Sequence, residues 1–113
     1  IALDTFPYTG GGTTCEALYM GTPVVTLAGT RHGTRFGLSL LENVGLGELV
    51  SNTPEEYVEK AAALASDAEL LAALHKNLRT MIQRSPVMDG KSYVREIEAM
   101  YEDVWQAWLD GRE

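Results

Sequence analysis

"TGGGTTCEALYMGTPVV", residues 9–25, decides the fold. Three consecutive glycines, Gly10, Gly11 and Gly12, lead into Thr13, Thr14 and Glu16, and an apolar run then breaks at Gly21-Thr22-Pro23. Before it stands the short apolar stretch "IALD" (1–4), and its end runs on into "TPVVTLAG" (22–29), where β-branched residues cluster. Both stretches read as strands. A strand, a glycine-rich loop, a short helix over 14–20 and a second strand make a βαβ unit, for which a right-handed crossover is expected.

Working outward, the polar loop "TRHGTR" (30–35) precedes a helix through "FGLSLLENVG" that Gly45 should stop, and "LGELVS" (46–51) reads as a third short strand. From Thr53 onward the pattern is helical. Thr53-Pro54-Glu55-Glu56 offers a capping threonine, proline at the first helical position and a glutamate three residues on, and Ser66-Asp67-Ala68-Glu69 repeats the capping box. A helix over 68–84 places Leu71, Leu74, Leu78 and Met81 on one stripe, and Ser85-Pro86 ends it. The last helix, 91–109, carries Tyr93, Ile97, Met100, Tyr101, Val104 and Trp108 at helical spacing, a stripe expected to be a core face. The expectation is an α/β fold, with short parallel strands in a βαβαβ part (1–52) followed by three C-terminal helices (53–113).

Composition excludes several classes. Nine basic against sixteen acidic residues give a net charge of −7, which argues against a nucleic-acid or anionic-membrane partner. No apolar run approaches the roughly 20 residues of a membrane span. Cys15 is the only cysteine of the 113 residues, which excludes an intrachain disulfide and a cysteine-clustered zinc site and fits a reducing, cytoplasmic setting. The opening Ile1, with no methionine or signal-type segment, reads as a cut from something longer.

A helix start preceded by glycines exposes unpaired N–H groups beside the positive end of the helix dipole, and glycine lets an anion approach the backbone closely. The two common glycine fingerprints both fail here. Cys15 stands where a dinucleotide loop needs its third glycine, and no lysine follows as a Walker loop requires. Glu16, one turn into the helix, could accept from vicinal ribose hydroxyls, or could close a capping box with Thr13. Thr13 and Thr14 share that ambiguity, as phosphate donors or caps, and the residues alone leave both open. Arg31, His32 and Arg35 form the basic cluster of the first half, at the carboxyl end of the second strand where ligand crevices form, and are either solvated or ligand-facing. His75 reads as surface, and neither histidine has a metal-ligand partner at useful spacing.

The stretch "LDTFPYTGGGTTCEALYMGTPVVTLAG" (3–29), with "SLL" (39–41), "GLGELV" (45–50), "EEYVEKAAALASD" (55–67) and "YVREIEAMYEDVWQAW" (93–108), resembles the C-terminal end of the O-GlcNAc transferase family, including its bacterial tetratricopeptide-containing relatives. The resemblance runs over essentially the whole chain with order and spacing kept. It implies the second half of the Rossmann-like C-terminal domain of a GT-B glycosyltransferase. That enzyme would carry a UDP-sugar donor, an inverting transfer to Ser or Thr of an acceptor protein, helical repeats upstream, and no cofactor. By the family pattern Gly10, Gly11, Gly12 and Thr13 would meet the UDP phosphates, with Thr14 beside them, and Glu16, in place of an aspartate of the animal enzymes, the ribose. Gly11 and Gly12 stand where those enzymes have a phosphate-contacting histidine and a threonine, so backbone contacts must serve. Arg35 matches an arginine of the family's next loop. The phosphate-binding lysine and the residues holding base and acceptor would lie upstream, so the chain alone is expected to be inactive.

Two other assignments fit the same residues: a fragment of a nucleotide-sugar epimerase on the same scaffold, and a non-catalytic helical interaction module. In the usual doubly wound strand order these three strands are the last three, so strand 1–4 is expected to have an open edge through which copies of the chain self-associate.

Overall fold

The computed structural model describes residues 1–111. Three short parallel strands, β1 (Ala2–Leu3), β2 (Val24–Leu27) and β3 (Val50–Ser51), lie in the order β1-β2-β3, with Ala2 opposite Val24 and Thr26 opposite Val50. Helix α1 (Gly12–Tyr19) connects the first pair and α2 (Phe36–Val44) the second. Three further helices follow: α3 (Pro54–Ala65), α4 (Ala68–Gln83) and α5 (Gly90–Leu109). The α/β class, the parallel strands and the three C-terminal helices are as the sequence predicts.

Side chains alternate across β2. Val24 joins a buried cluster with Leu18 of α1, Leu41 and Val44 of α2, Val50, and Leu78 and Ile82 of α4. On the opposite face α3 packs against β2 and β3, and its Leu64 is buried. The carboxyl ends of β1 and β2 therefore stop beside the loops at 4–11 and 28–35, and those loops carry the polar groups of interest.

Local chemistry sets the boundaries. Gly45 closes α2 in the left-handed region at φ 91°, and the Leu46 N–H donates to the Leu41 carbonyl at 2.8 Å, a Schellman closure that only a residue free of a Cβ makes without strain. That closure leads into a single 3-10 turn, Gly47–Leu49, so the expected strand over 46–51 shrinks to its last two residues. Thr53 caps α3 as expected, accepting from the Glu56 N–H at 3.1 Å, while the Glu56 carboxylate reaches back to the Asn52 N–H at 3.0 Å. At α4 the cap is Asp67, which accepts from the Leu70 N–H; Ser66, expected to do this, instead finishes α3 by donating to the Ala62 carbonyl. A donor and an acceptor adjacent in sequence divide the end of one helix and the start of the next.

The α4 stripe is core, with Leu78 fully buried. The α5 stripe is not. Tyr93, Met100, Tyr101, Val104 and Trp108 are between 59 % and 70 % exposed, and α5 has no buried residue. The radius of gyration is 16.9 Å, against about 13 Å for a compact chain of this length, because α5 leaves the body at the turn Pro86–Met88 and projects. Helical periodicity reports that a face is apolar, but it does not say against what that face packs. Among the described residues no helix is long and apolar enough to cross a membrane.

Candidate functional site

The site is organised around a side chain that the sequence reading passed over. Asp4, one residue past β1 and 7 % exposed, accepts from the Gly10 N–H at 2.8 Å and from the Thr26 hydroxyl at 2.7 Å. Its own carbonyl accepts from the Tyr57 hydroxyl of α3 at 2.9 Å. The intervening segment 5–9 contains a cis Phe6-Pro7 peptide. Phe6 meets the Tyr57 ring edge-on at 5.5 Å, and Thr9, almost fully buried, donates its N–H to the Gly33 carbonyl at 3.3 Å. The glycine loop is thus tied to β2, to α3 and to the loop after β2.

Gly10 is glycine because of close approach: a Cβ there would stand 2.7 Å from Thr14 Oγ1 and 2.9 Å from Thr13 Oγ1. Gly11 and Gly12 face open space, with nothing within 4 Å of a built Cβ. Helix α1 starts at Gly12, two residues earlier than expected, with Gly11 as a cap lacking any side-chain bond and no acidic residue in the first turn. Among the described residues, the first amide of this helix to find a backbone acceptor is that of Cys15, on the Gly11 carbonyl at 3.1 Å. The amides of residues 11–14 are the orphan donors of a helix start, and no carboxylate of the first turn offsets their positive potential. A cleft of about 190 Å³ lies beside them, lined by Leu3, Asp4, Thr5, Gly10, Thr13 and Thr14 among others.

The capping alternative for Thr13 and Glu16 does not occur, since both residues lie inside α1. Glu16 is exposed, and its side chain makes no hydrogen bond or ion pair within the described chain. It borders a separate, largely apolar cleft of about 390 Å³, with Cys15, Tyr19, Ile82, Val87 and Met88. Burial pushes the Cys15 thiol up, the backbone bond at Cys15 opposes, and the Glu16 charge adds to the rise, so the thiol is held in its un-nucleophilic form.

Arg35 is engaged with the protein: its Nη1 donates to the Gly29 carbonyl at 2.5 Å, bracing the loop after β2. It lines a third depression of about 250 Å³ with His32, Phe36, Leu38 and Ser39, and the His32 ring stands edge-on to Phe36 at 4.9 Å. His75, expected as plain surface, sets Nδ1 3.1 Å from the Gly21 carbonyl and so braces the turn after α1. Gly10, Thr13 and Thr14 therefore converge on one cleft, Gly11 and Gly12 open the helix beside it, and Glu16 and Arg35 line other depressions. No group of three or more His, Cys, Asp or Glu side chains able to hold a metal occurs among the described residues.

A family model for glycosyl transferase family 41 matches residues 1–97. The probable UDP-N-acetylglucosamine--peptide N-acetylglucosaminyltransferase SPINDLY of Hordeum vulgare is 52 % identical over 111 residues, covering 98 % of this chain and 12 % of that protein. The probable enzyme of the same activity named SEC, from Arabidopsis thaliana, is 34 % identical over 114 residues, 100 % of this chain and 12 % of its own length. Among solved structures, a mutant O-GlcNAc transferase of Thermobaculum terrenum superposes with a TM-score of 0.85 at 45 % identity, over 93 % of this chain and 20 % of that one. The chain spans about 12 % of the length of these curated relatives.

Proposed function

We propose, from the premise that this chain belongs to glycosyl transferase family 41, that it is the donor-binding portion of an inverting protein O-glycosyltransferase that moves GlcNAc or a related sugar from UDP to Ser or Thr. The observation that carries this is the α1 start: four orphan amides follow a glycine loop at the carboxyl ends of parallel strands, beside an open cleft. A diphosphate suits such a place, because a helix N-terminus favours negative charge and bare glycine backbone lets it come close.

Each residue has a distinct part. The amides of Gly11, Gly12 and Thr13 and the hydroxyls of Thr13 and Thr14 receive phosphate oxygens. Gly10, whose N–H is already taken by Asp4, contributes only the closeness of its backbone. Glu16, with no partner to give up, accepts from the ribose hydroxyls. Arg35, anchored to Gly29, shapes the neighbouring loop and keeps its remaining N–H groups for the donor. Acceptor protein and catalytic groups belong to the rest of the enzyme.

Calorimetric titration of UDP into the intact protein and into this chain alone is the test. The intact protein should bind at micromolar level and the chain alone at millimolar or weaker, the difference between about 8 and about 4 kcal/mol. No UDP binding by the intact protein would remove the donor-site assignment. Micromolar binding by the chain alone would show that the pocket is complete without upstream residues.

A further inference from the structure

We propose that Asp4 is a positioning residue of the donor site, acting through Gly10 to hold the α1 amides in a phosphate-ready arrangement; this rests on the UDP-sugar assignment above. The geometry is that of a buried acceptor with assigned donors. A carboxylate with so little exposure is costly unless its oxygens are hydrogen-bonded, and here Oδ1 takes the Gly10 N–H and Oδ2 takes the Thr26 hydroxyl. Thr26 is fully buried in β2, so it cannot carry the carboxylate away with it. Tyr57 fixes the Asp4 backbone from the α3 side, and a Cβ on Gly37, in the first turn of α2, would lie 2.5 Å from Oδ2. Four elements therefore converge on one residue, and one of them is the glycine loop.

The consequence falls on the loop. Residues 10–12 are three glycines, the residues with the most backbone freedom to lose, and nothing packs within 4 Å of the place a Cβ of Gly11 or Gly12 would take. The Gly10 N–H bond to Asp4 is the side-chain bond that fixes this run ahead of the helix. It also turns one amide inward, leaving those of residues 11–14 as the donors to a ligand. Without it, a diphosphate would have to order the loop as it binds, and affinity would fall by that ordering cost.

The test uses the intact enzyme with Asp4→Ala, Asp4→Asn and Thr26→Val, reading UDP affinity, the KM for UDP-GlcNAc, kcat and melting temperature. Asp4→Ala should raise the UDP Kd and the KM together by about tenfold or more while kcat stays within about threefold. Asp4→Asn keeps a carbonyl oxygen for the Gly10 N–H and should return the Kd to within about threefold of the parent. Thr26→Val removes a buried hydroxyl but leaves the Gly10 bond, so it should lower the melting temperature at parental Kd. Should the alanine variant not fold, Asp4→Ser takes its place with the same expectations, since it keeps a polar group that falls short of the Gly10 amide. A parent that binds UDP beside an Asp4→Ala enzyme of unchanged Kd overturns the positioning role alone, as does a Thr26→Val enzyme that loses affinity in step with stability. A parent that does not bind UDP overturns the donor assignment instead.

Discussion

Gly37→Ala places a methyl group where the structure has no room for one. The added carbon would stand 2.2 Å from Thr26 Oγ1 and 2.5 Å from Asp4 Oδ2, both on buried side chains. To relieve the contact, either α2 moves off the sheet or Thr26 turns and gives up its 2.7 Å bond to Asp4. Overpacking of this kind costs roughly 1–3 kcal/mol, and an unpaired buried hydroxyl or carboxylate oxygen about another 1–3 kcal/mol. Alanine returns about 1 kcal/mol of helix propensity, leaving a net loss of roughly 1–5 kcal/mol. Hydrogen exchange read by mass spectrometry on peptides covering Val24–Leu27 in the intact protein isolates this part of the molecule. Exchange there should quicken by a factor of about five to several thousand, while Gly11→Ala, which meets nothing within 4 Å, should leave it unchanged. Protection of β2 in Gly37→Ala within about threefold of the parent would refute the steric reasoning.

In the intact enzyme Glu16→Gln should weaken UDP binding by about 1–2 kcal/mol by losing charge-assisted bonds to ribose, and its melting temperature should hold because the side chain bonds nothing among the described residues. A fall in stability at constant affinity would make Glu16 a structural residue. Burial, and then the charge of Asp4, push the Tyr57 phenol up. Its neutral form is thus favoured by folding, and this stabilisation is present in full below the ordinary tyrosine value of about 10 and is lost as pH rises through the folded value. Tyr57→Phe should be about 1 kcal/mol less stable at neutral pH through loss of the bond to the Asp4 carbonyl, yet should shed part of the alkaline fall, and an unchanged alkaline slope would contradict this. The chain alone should self-associate in sedimentation experiments through β1, whose outer edge is unpaired among the described residues and whose Leu3 is 55 % exposed. Leu3→Lys should restore the monomer; association that survives Leu3→Lys but yields to Trp108→Lys would place the contact on α5 instead.

Where local chemistry decides structure, the sequence was legible. Gly45 and Thr53 act where they were expected, because a left-handed closure and a helix cap each depend on a few neighbouring atoms. The strand expected at 46–51 is cut to its last two residues because the same Gly45 closure leads into a 3-10 turn that absorbs the first residues of an apolar run. Ser66 and Asp67 competed for one role, and sequence could not rank them because either oxygen sits close enough to a helix start. The α5 stripe failed for a different cause. Tyr93, Met100, Tyr101 and Val104 have the spacing of a buried face, but burial is a property of a pair of surfaces, and only one of the two is written in this helix.

The candidate site divides along the same line. The glycine loop, Thr13 and Thr14 could be found because a helix start announces itself in composition, and the structure brings Gly10, Thr13 and Thr14 to one cleft. Asp4 could not, since its partners lie 6 and 22 residues away and the Tyr57 hydroxyl 53 residues away. A signal was nonetheless present: an aspartate closing an apolar strand, "IALD", is a charge placed where the chain is about to be buried, and such a charge must find donors. Those available at the carboxyl end of a parallel sheet are the hydroxyls of the next strand and the amides of the following loop, which are the two that Asp4 takes. An acidic residue at the end of a strand that leads into a glycine loop is therefore better read as the loop's anchor than as a ligand of its own. A carboxylate repels an anionic ligand and offers it no donor, whereas the loop that this one anchors has amides to spare.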